Sequence, residues 1–290
     1  MKIGLVTDST CDLNQGIIEK YNIKIVPLTV HFGVKEFVDG IDINADKFFK
    51  MIETEDKMPK TSKPSKYDFK STYDDLLNKY DHIISIHVSK GLSGTYDSAA
   101  LAANDISKDK ITVIDSSSIS LGLGFLVLLA AKLIKKNYQL QDIKNRLEKA
   151  KKKVKCIFTV EDLTYMKEGG RIGKAKAFLG TIFNINPIIE ISTETGKVNP
   201  LDKVRGNERT LKKMRDLLIN NIKNDKNAWI GIMHGDRKNK AENLKKQVNN
   251  NIPDFINKKL FEERISPTLG CHVGPSVYAF AILSGEFLDI

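Results

Sequence analysis

Four short stretches of this 290-residue chain set polar groups where chemistry is commonly done. The first is Gly91-Leu92-Ser93-Gly94-Thr95, which follows an apolar run at 83–88 and precedes a helix-forming stretch through Ala103. A strand, a glycine turn and a helix in that order place the Ser93 hydroxyl and the Gly94 N–H at a helix N-terminus. The backbone dipole is positive there and favours an anion: a phosphate, a carboxylate or a developing oxyanion. The second stretch is Lys60-Thr61-Ser62-Lys63-Pro64-Ser65. Pro64 disfavours helix at Lys63, so Thr61 falls on an extended loop that offers its hydroxyl. The third, Gly169-Gly170-Arg171-Ile172-Gly173, turns on two glycines and presents a guanidinium. The fourth, Cys271-His272-Val273-Gly274-Pro275-Ser276, sets an imidazole before a Gly-Pro turn, where it can enter a cleft. Singly, each has a plainer explanation: a helix cap, an ST-turn, a surface arginine and a core histidine.

The elements that must position these groups change character midway. In the first half, strands are predicted at 2–6, 23–30, 83–88 and 111–115. Helices are predicted at 12–20, 45–53, 67–78, from 94, at 123–135 and at 142–152, with a polar connection over 55–66. Alternating strand and helix with apolar strands argues for a parallel sheet covered by helices. Ligands of such sheets lie beyond the strand C-terminal ends, where 7–10, 89–95 and 115–118 fall. In the second half, strands are predicted at 156–160, 188–191, 198–204, 229–234 and 259–265. Thr193-Glu194-Thr195-Gly196-Lys197 forms a hairpin turn between two of them. Helices at 161–168, at 207–223 and after 234 complete an α+β unit with antiparallel pairing. The expected fold is therefore α/β in two domains, 1–155 and 156–290, with the segment near 55–66 reaching the cleft between them.

Composition narrows the function. The formal net charge is +10, with a pI of about 9.2. The charge comes mostly from lysine doublets such as Lys135-Lys136 and Lys212-Lys213, with one dense run from Lys149 to Lys155. No Arg-rich segment or interleaved aromatics suggest a nucleic-acid surface, so no nucleic-acid partner is expected. No apolar run reaches the length of a membrane span, and the start reads as a strand rather than a signal peptide, so a cytoplasmic location is expected. Cys11, Cys156 and Cys271 form no C-x-x-C pair, and neither a disulfide framework nor a metal site is expected. Cys271 beside His272 is expected in an extended segment, pointing away from the imidazole as a buried structural thiol. No P-loop or dinucleotide fingerprint occurs, so nucleotide chemistry by this chain alone is not expected. Gly91 to Thr95 is a near miss of G-x-S-x-G. With His272 and Asp115 it leaves open a lipid esterase or acyltransferase built on Ser93. Two apolar stretches, 175–191 and 121–129, read as core or as a ligand wall.

The chain resembles the DegV family, whose characterised bacterial members are the fatty-acid-binding, FakB-type subunits of fatty acid kinase. The resemblance rests on Val6-Thr7-Asp8-Ser9-Thr10-Cys11-Asp12-Leu13, Asp39-Gly40-Ile41-Asp42, Thr61-Ser62-Lys63-Pro64-Ser65 and Leu92-Ser93-Gly94-Thr95-Tyr96. It continues through Leu121-Gly122-Leu123-Gly124, Met166-Lys167-Glu168-Gly169-Gly170-Arg171-Ile172, His234-Gly235-Asp236 and His272-Val273-Gly274-Pro275. It implies a Rossmann-like parallel-sheet domain and an α+β domain with a mixed sheet, enclosing a long-chain fatty acid in a tunnel. The acid's carboxylate is then bound by Thr61, Ser93, Gly94 and His272. Arg171 is associated with the partner kinase or the activated head group, and Leu121, Phe158, Phe178, Ile182 and Ile188 are expected along the acyl chain.

The resemblance further implies that this chain is not itself an enzyme and needs no cofactor. A separate ATP-dependent kinase makes the acyl phosphate that feeds phospholipid synthesis. The basic surface is expected to meet that partner or, transiently, anionic lipid. Two positions depart from the family pattern: Ser276, where G-P-G is common, and Asn186, where lysine often precedes the proline.

Overall fold

The computed structural model describes residues 1–55, 57–178 and 185–289. The strands are β1 (Ile3–Asp8), β2 (Lys24–Val26), β3 (Thr29–Phe32), β4 (Lys35–Val38), β5 (Lys60–Ser62), β6 (His82–His87) and β7 (Ile111–Asp115). They continue as β8 (Lys155–Thr159), β9 (Ile185–Ile191), β10 (Val198–Arg205), β11 (Asn227–His234), β12 (Asn257–Arg264) and β13 (Tyr278–Ser284). The helices are α1 (Gln15–Lys20), α2 (Ala45–Thr54), α3 (Lys66–Leu77), α4 (Thr95–Ile106) and α5 (Ser120–Lys135). After them come α6 (Leu140–Lys151), α7 (Thr164–Glu168), α8 (Asn207–Ile222), α9 (Lys238–Asn249) and α10 (Pro267–Val273).

Three sheets result. A parallel sheet runs β2-β1-β6-β7, and every residue of β1 and β6 is buried, as central strands covered on both faces require. A six-stranded sheet runs β10-β9-β8-β13-β11-β12 and is antiparallel except for the β11–β12 pair. This is the mixed α/β arrangement expected, in two sheet-centred lobes. The third sheet, β4-β3-β5, is small, antiparallel and unanticipated. It forms because the predicted strand at 23–30 breaks at Pro27, which has no N–H to continue the parallel ladder. The chain beyond the break folds back through a hairpin whose Gly33 has φ +62°. Part of the polar 55–66 connection supplies β5 as its edge strand, with Thr61 opposite the buried Val30.

Two elements of the second lobe also differ from expectation. Residues 267–273 are helical rather than extended, started by Pro267 in the first turn after the Ser266 cap. Cys271 and His272 are therefore separated by a helical rotation, and Cys271 is buried. The strand β13 lies at the centre of the mixed sheet, between β8 and β11. Its unbroken burial removes the alternation that would have announced it.

Helix α5 joins the two layers. All of it is buried except Lys132, Ile134 and Lys135. A helix that is apolar all round must be enclosed, and α5 packs on β1 and β6 from one side and on β8, β11 and β13 from the other. Gly124 makes this possible on the first side, since a Cβ there would lie 2.5 Å from the Cys11 carbonyl oxygen. A backbone carbonyl cannot rotate away, so Gly124→Ala should lower unfolding stability by about 2–3 kcal/mol. Denaturant unfolding of the purified variant measures it, and an unchanged midpoint would contradict this packing.

Candidate functional site

Between the first lobe, where Ile119 and Ser120 open α5, and the mixed sheet the layers part, leaving a cavity of about 370 Å3. One end is polar. It is lined by Thr61 and Lys63 from β5 and the segment after it, Ser93 and Gly94 from the β6–α4 loop, Arg171 after α7, and His272 of α10. The rest is mostly apolar, with Phe158 and Cys156 of β8, Met233 of β11 and Ala279 of β13 along the sheet side. Thr61, Ser93, Gly94, Arg171 and His272 thus line one cavity, although 211 positions separate the first and last.

Each polar group is held by identifiable contacts. The Thr61 hydroxyl bonds His272 Nε2 at 2.9 Å, joining β5 of the first half to α10 of the second. His272 Nδ1 is buried with no hydrogen-bond partner among the described residues. Burial, reinforced by the Arg171 guanidinium, depresses the imidazole pKa from 6.5 to about 4. The ring is therefore neutral at neutral pH, with one donor nitrogen and one acceptor. Ser93 Oγ bonds Thr95 Oγ1 at 2.9 Å and accepts the Thr95 N–H at 3.3 Å. Gly94 caps α4 with no side-chain cap bond, so the helix presents its positive first turn beside the Ser93 hydroxyl. Arg171 donates from Nη1 to the Gly169 carbonyl (2.7 Å) and from Nε to that of Leu92 (3.2 Å), so it bridges the two lobes at the rim. Lys63 Nζ reaches the Gly94 carbonyl at 3.4 Å and adds a second cation. Sequence reasoning used Lys63 only for its backbone; its place one residue from Pro64 in the Thr61 motif was the available signal.

The loop carrying Ser93 is braced from the opposite lobe. The β9–β10 turn, read from sequence as a hairpin, brings Gly196 against it, and Ser89 Oγ donates to the Gly196 carbonyl at 2.7 Å. Gly91 packs so closely there that a Cβ would lie 2.8 Å from the same oxygen.

Helix α10 is braced by two buried carboxylates that sequence reasoning quoted only as parts of motifs. Asp12 accepts the Ser120 hydroxyl at 2.6 Å and the Ser266 N–H at 3.0 Å. Asp39 accepts the Ser9 hydroxyl at 3.0 Å and the Thr268 N–H at 3.3 Å. Burial pushes these carboxyls up to about 7 and about 6.

Other expectations meet different outcomes. Phe158 lines the cavity, but Leu121, Ile188 and Phe178 are not among its lining residues. Ile188 belongs to the separate core under α8 and α9, because strand alternation puts Ile191 of β9, not Ile188, on the cavity side. Leu121 lies against Gly231, Phe178 is partly buried on the main core, and Ile182 lies outside the described residues. The side chain of Ser276 accepts the Glu161 N–H at 3.0 Å, and Asn186 donates to Asn207 and Thr210 at 3.1 Å. Both departures from the family pattern thus serve local structure.

The hydrolytic arrangement does not assemble. His272 is bonded to Thr61, Ser93 to Thr95, and Asp115 accepts the N–H groups of Ser117 and Lys90 at 2.9 and 3.1 Å. A Ser–His–Asp chain does exist elsewhere. Ser85 Oγ lies 2.6 Å from His87 Nε2, whose Nδ1 lies 3.0 Å from Asp8. All three are fully buried, the Tyr73 hydroxyl donates to Ser85, and Asp8 also accepts the Val88 N–H. The chain fixes the ends of β1 and β6 and is closed to a substrate.

A histidine whose folded pKa lies below its unfolded value supports the fold above the unfolded pKa, and this support is lost as pH falls through the folded one. For His272 that window runs from 6.5 down to about 4. Asp12 and Asp39, with raised values, act in the opposite sense, losing their contribution as pH rises to about 7 and about 6. The difference between the wild type and His272→Asn isolates the histidine. The stability of the wild type relative to the variant should decline on acidification across this window, as read by urea midpoints. A constant difference would show that His272 is not held neutral.

A family model described as "Uncharacterised protein, DegV family" matches residues 2–285. A DegV domain-containing protein of Clostridium acetobutylicum is 34% identical over 283 residues, spanning 97% of this chain and 99% of its own. A DegV family protein from Thermus thermophilus, solved under the description of its fatty acid binding, superposes with a TM-score of 0.92. It is 30% identical, with 98% of this chain and 100% of that one covered. DegV of Bacillus subtilis, described as a fatty acid binding protein, gives a TM-score of 0.89 at 28% identity, again covering 98% and 100%. In fold, and in sequence from end to end, this chain belongs to the DegV family.

Proposed function

We propose that this protein binds a long-chain fatty acid in the cavity between the two lobes and presents its carboxylate to a separate ATP-dependent fatty acid kinase. The carrying observation is the polarity of the cavity. Hydroxyls, an imidazole, a helix N-terminus and two cations gather at one end, and apolar side chains line most of the remainder. The structural relatives described as fatty acid binding support the same ligand class.

The energetics fit a carrier. Each methylene moved from water into an apolar cavity contributes about 0.8 kcal/mol, so the tail supplies most of the affinity. The carboxylate loses hydration on entry, which directed donors must offset. Thr61, Ser93 and His272 are the proposed donors, with the Gly94 N–H beside them. Arg171 is the proposed contact to the kinase or to the activated head group. The chain has no phosphate-binding loop of its own, so the ATP is assigned to the partner.

Organic extraction of natively purified protein followed by mass spectrometry should recover about one fatty acid per chain. Ser93→Ala and Thr61→Ala should each weaken binding of a defined fatty acid by about tenfold or more, since a hydrogen bond to a charged group contributes about 1.5–3 kcal/mol. Arg171→Ala should retain binding and lose acyl-phosphate formation in the presence of the kinase. Protein that repeatedly yields no lipid and binds none would overturn the reading. Unchanged turnover by the Arg171 variant would remove that residue's assigned role alone.

A further inference from the structure

On the face turned toward α5, the mixed sheet carries a trough of small residues, Cys156, Ala279, Ala281 and Gly231, flanked by Phe158 and Met233. Strand register aligns Phe158, Ala279 and Met233 in one row, and Cys156, Ala281 and Gly231 in the next. The first row lines the cavity throughout, whereas only Cys156 of the second does so. At Gly231 the space is taken by Leu121. Its Cδ1 occupies the space that a Cβ on Gly231 would need, and its Cβ lies 3.1 Å from that point. Phe125 Cζ is next, at 3.2 Å. Phe261, which pairs with Gly231 in the same row, Trp229 in the row beyond and Phe125 of α5 close the space there, with ring centroids 5.1–6.4 Å apart. Leu121 thus covers the one position of this row that has no side chain of its own, two residues along β11 from the cavity-lining Met233.

We propose that Leu121 is the stop that sets the length of acyl chain this protein accepts, with Gly231 as its seat. The proposal rests on the fatty-acid reading of the cavity and adds to it the residue that limits the tail. Close-packed layers leave a tail only the space that side chains vacate. Carbons beyond that limit must therefore displace Leu121 or remain outside. The small residues under Leu121 would let a longer tail continue if the leucine were shortened.

Leu121→Ala removes three side-chain carbons and should open room for about three more methylenes, shifting the preferred chain by about that number. Competition binding with saturated acids of graded length gives the readout. The affinity of the longer acids relative to the wild-type optimum should rise about tenfold or more in Leu121→Ala. Leu121→Val, one carbon shorter and gentler on the core, should shift the optimum in the same direction by about one carbon. It carries the test if the alanine variant does not fold. Leu218→Ala, which opens the separate core under α8 and α9, should leave the length profile unchanged. An unaltered profile in both Leu121 variants, with the wild type still binding fatty acid, would overturn the stop and leave the binding reading intact. A wild type that binds no acid of any length would overturn both.

Discussion

A cavity whose walls come from two lobes keeps its shape only if the lobes are fixed to each other. Much of that fixing falls to two carboxylates. Asp12 ties the end of the first β-α connection to the start of α5 and to the cap of α10. Asp39 ties Ser9 to the first turn of the same helix. Their raised pKa values show that charge is costly where they sit. The hydrogen bonds that offset this cost run to the backbone that orients His272. Only five residues of helix, at about 1.5 Å each, separate the Ser266 cap from His272. A shift at the cap is therefore carried to the head-group end of the cavity. Deleting either carboxylate would free buried donors, whereas deleting a donor would strand a buried acid. The arrangement is held from both sides.

The apolar part of the cavity follows from a different constraint. Helix α5 must be covered on both faces, so the two sheets close on it, and the space that remains lies by its N-terminal end, where Ile119 and Ser120 line the cavity. On the mixed sheet the cavity runs along Phe158, Ala279 and Met233, with Cys156 from the next row. Leu121 covers Gly231 in that next row. The same close packing that stabilises the lobes also outlines the cavity, so no separate device is needed to keep a tunnel from collapsing.

Much of this was legible in the sequence, and the gaps have physical causes. The parallel strands announced themselves by unbroken apolar runs, and the β9–β10 hairpin by its glycine turn. Thr61, Ser93, Arg171 and His272 were found as hydroxyl, guanidinium and imidazole groups beside glycine or proline turns, and the structure brings them around one cavity. The strand that positions Thr61 was hidden because Lys60-Thr61-Ser62 is short and polar, and takes its order from pairing with β3 rather than from its own pattern. Helix α10 was hidden because it is only seven residues long and contains Gly270, which lowers helix propensity; the helix is secured by side chains more than 200 residues away. Ile188 was misplaced because a continuous apolar run does not reveal which alternate residues face which layer.

The protonation state of His272 bears on the proposed presentation of a carboxylate. A protonated imidazole would pair strongly with an acid and hold its charge inside the cavity. A neutral ring beside Thr61 and Ser93 offers hydrogen bonds without a full counter-charge. The formal cations, Lys63 and Arg171, have exposed side chains at the rim. Arg171 contributes to this division directly, since its charge helps to keep His272 neutral. On the proposed reading, neutral donors orient the carboxylate while the positive field draws it outward to where a phosphoryl donor must approach. Exchanging the two sets, with a cation deep inside and neutral groups at the rim, would favour retention of the acid over its transfer.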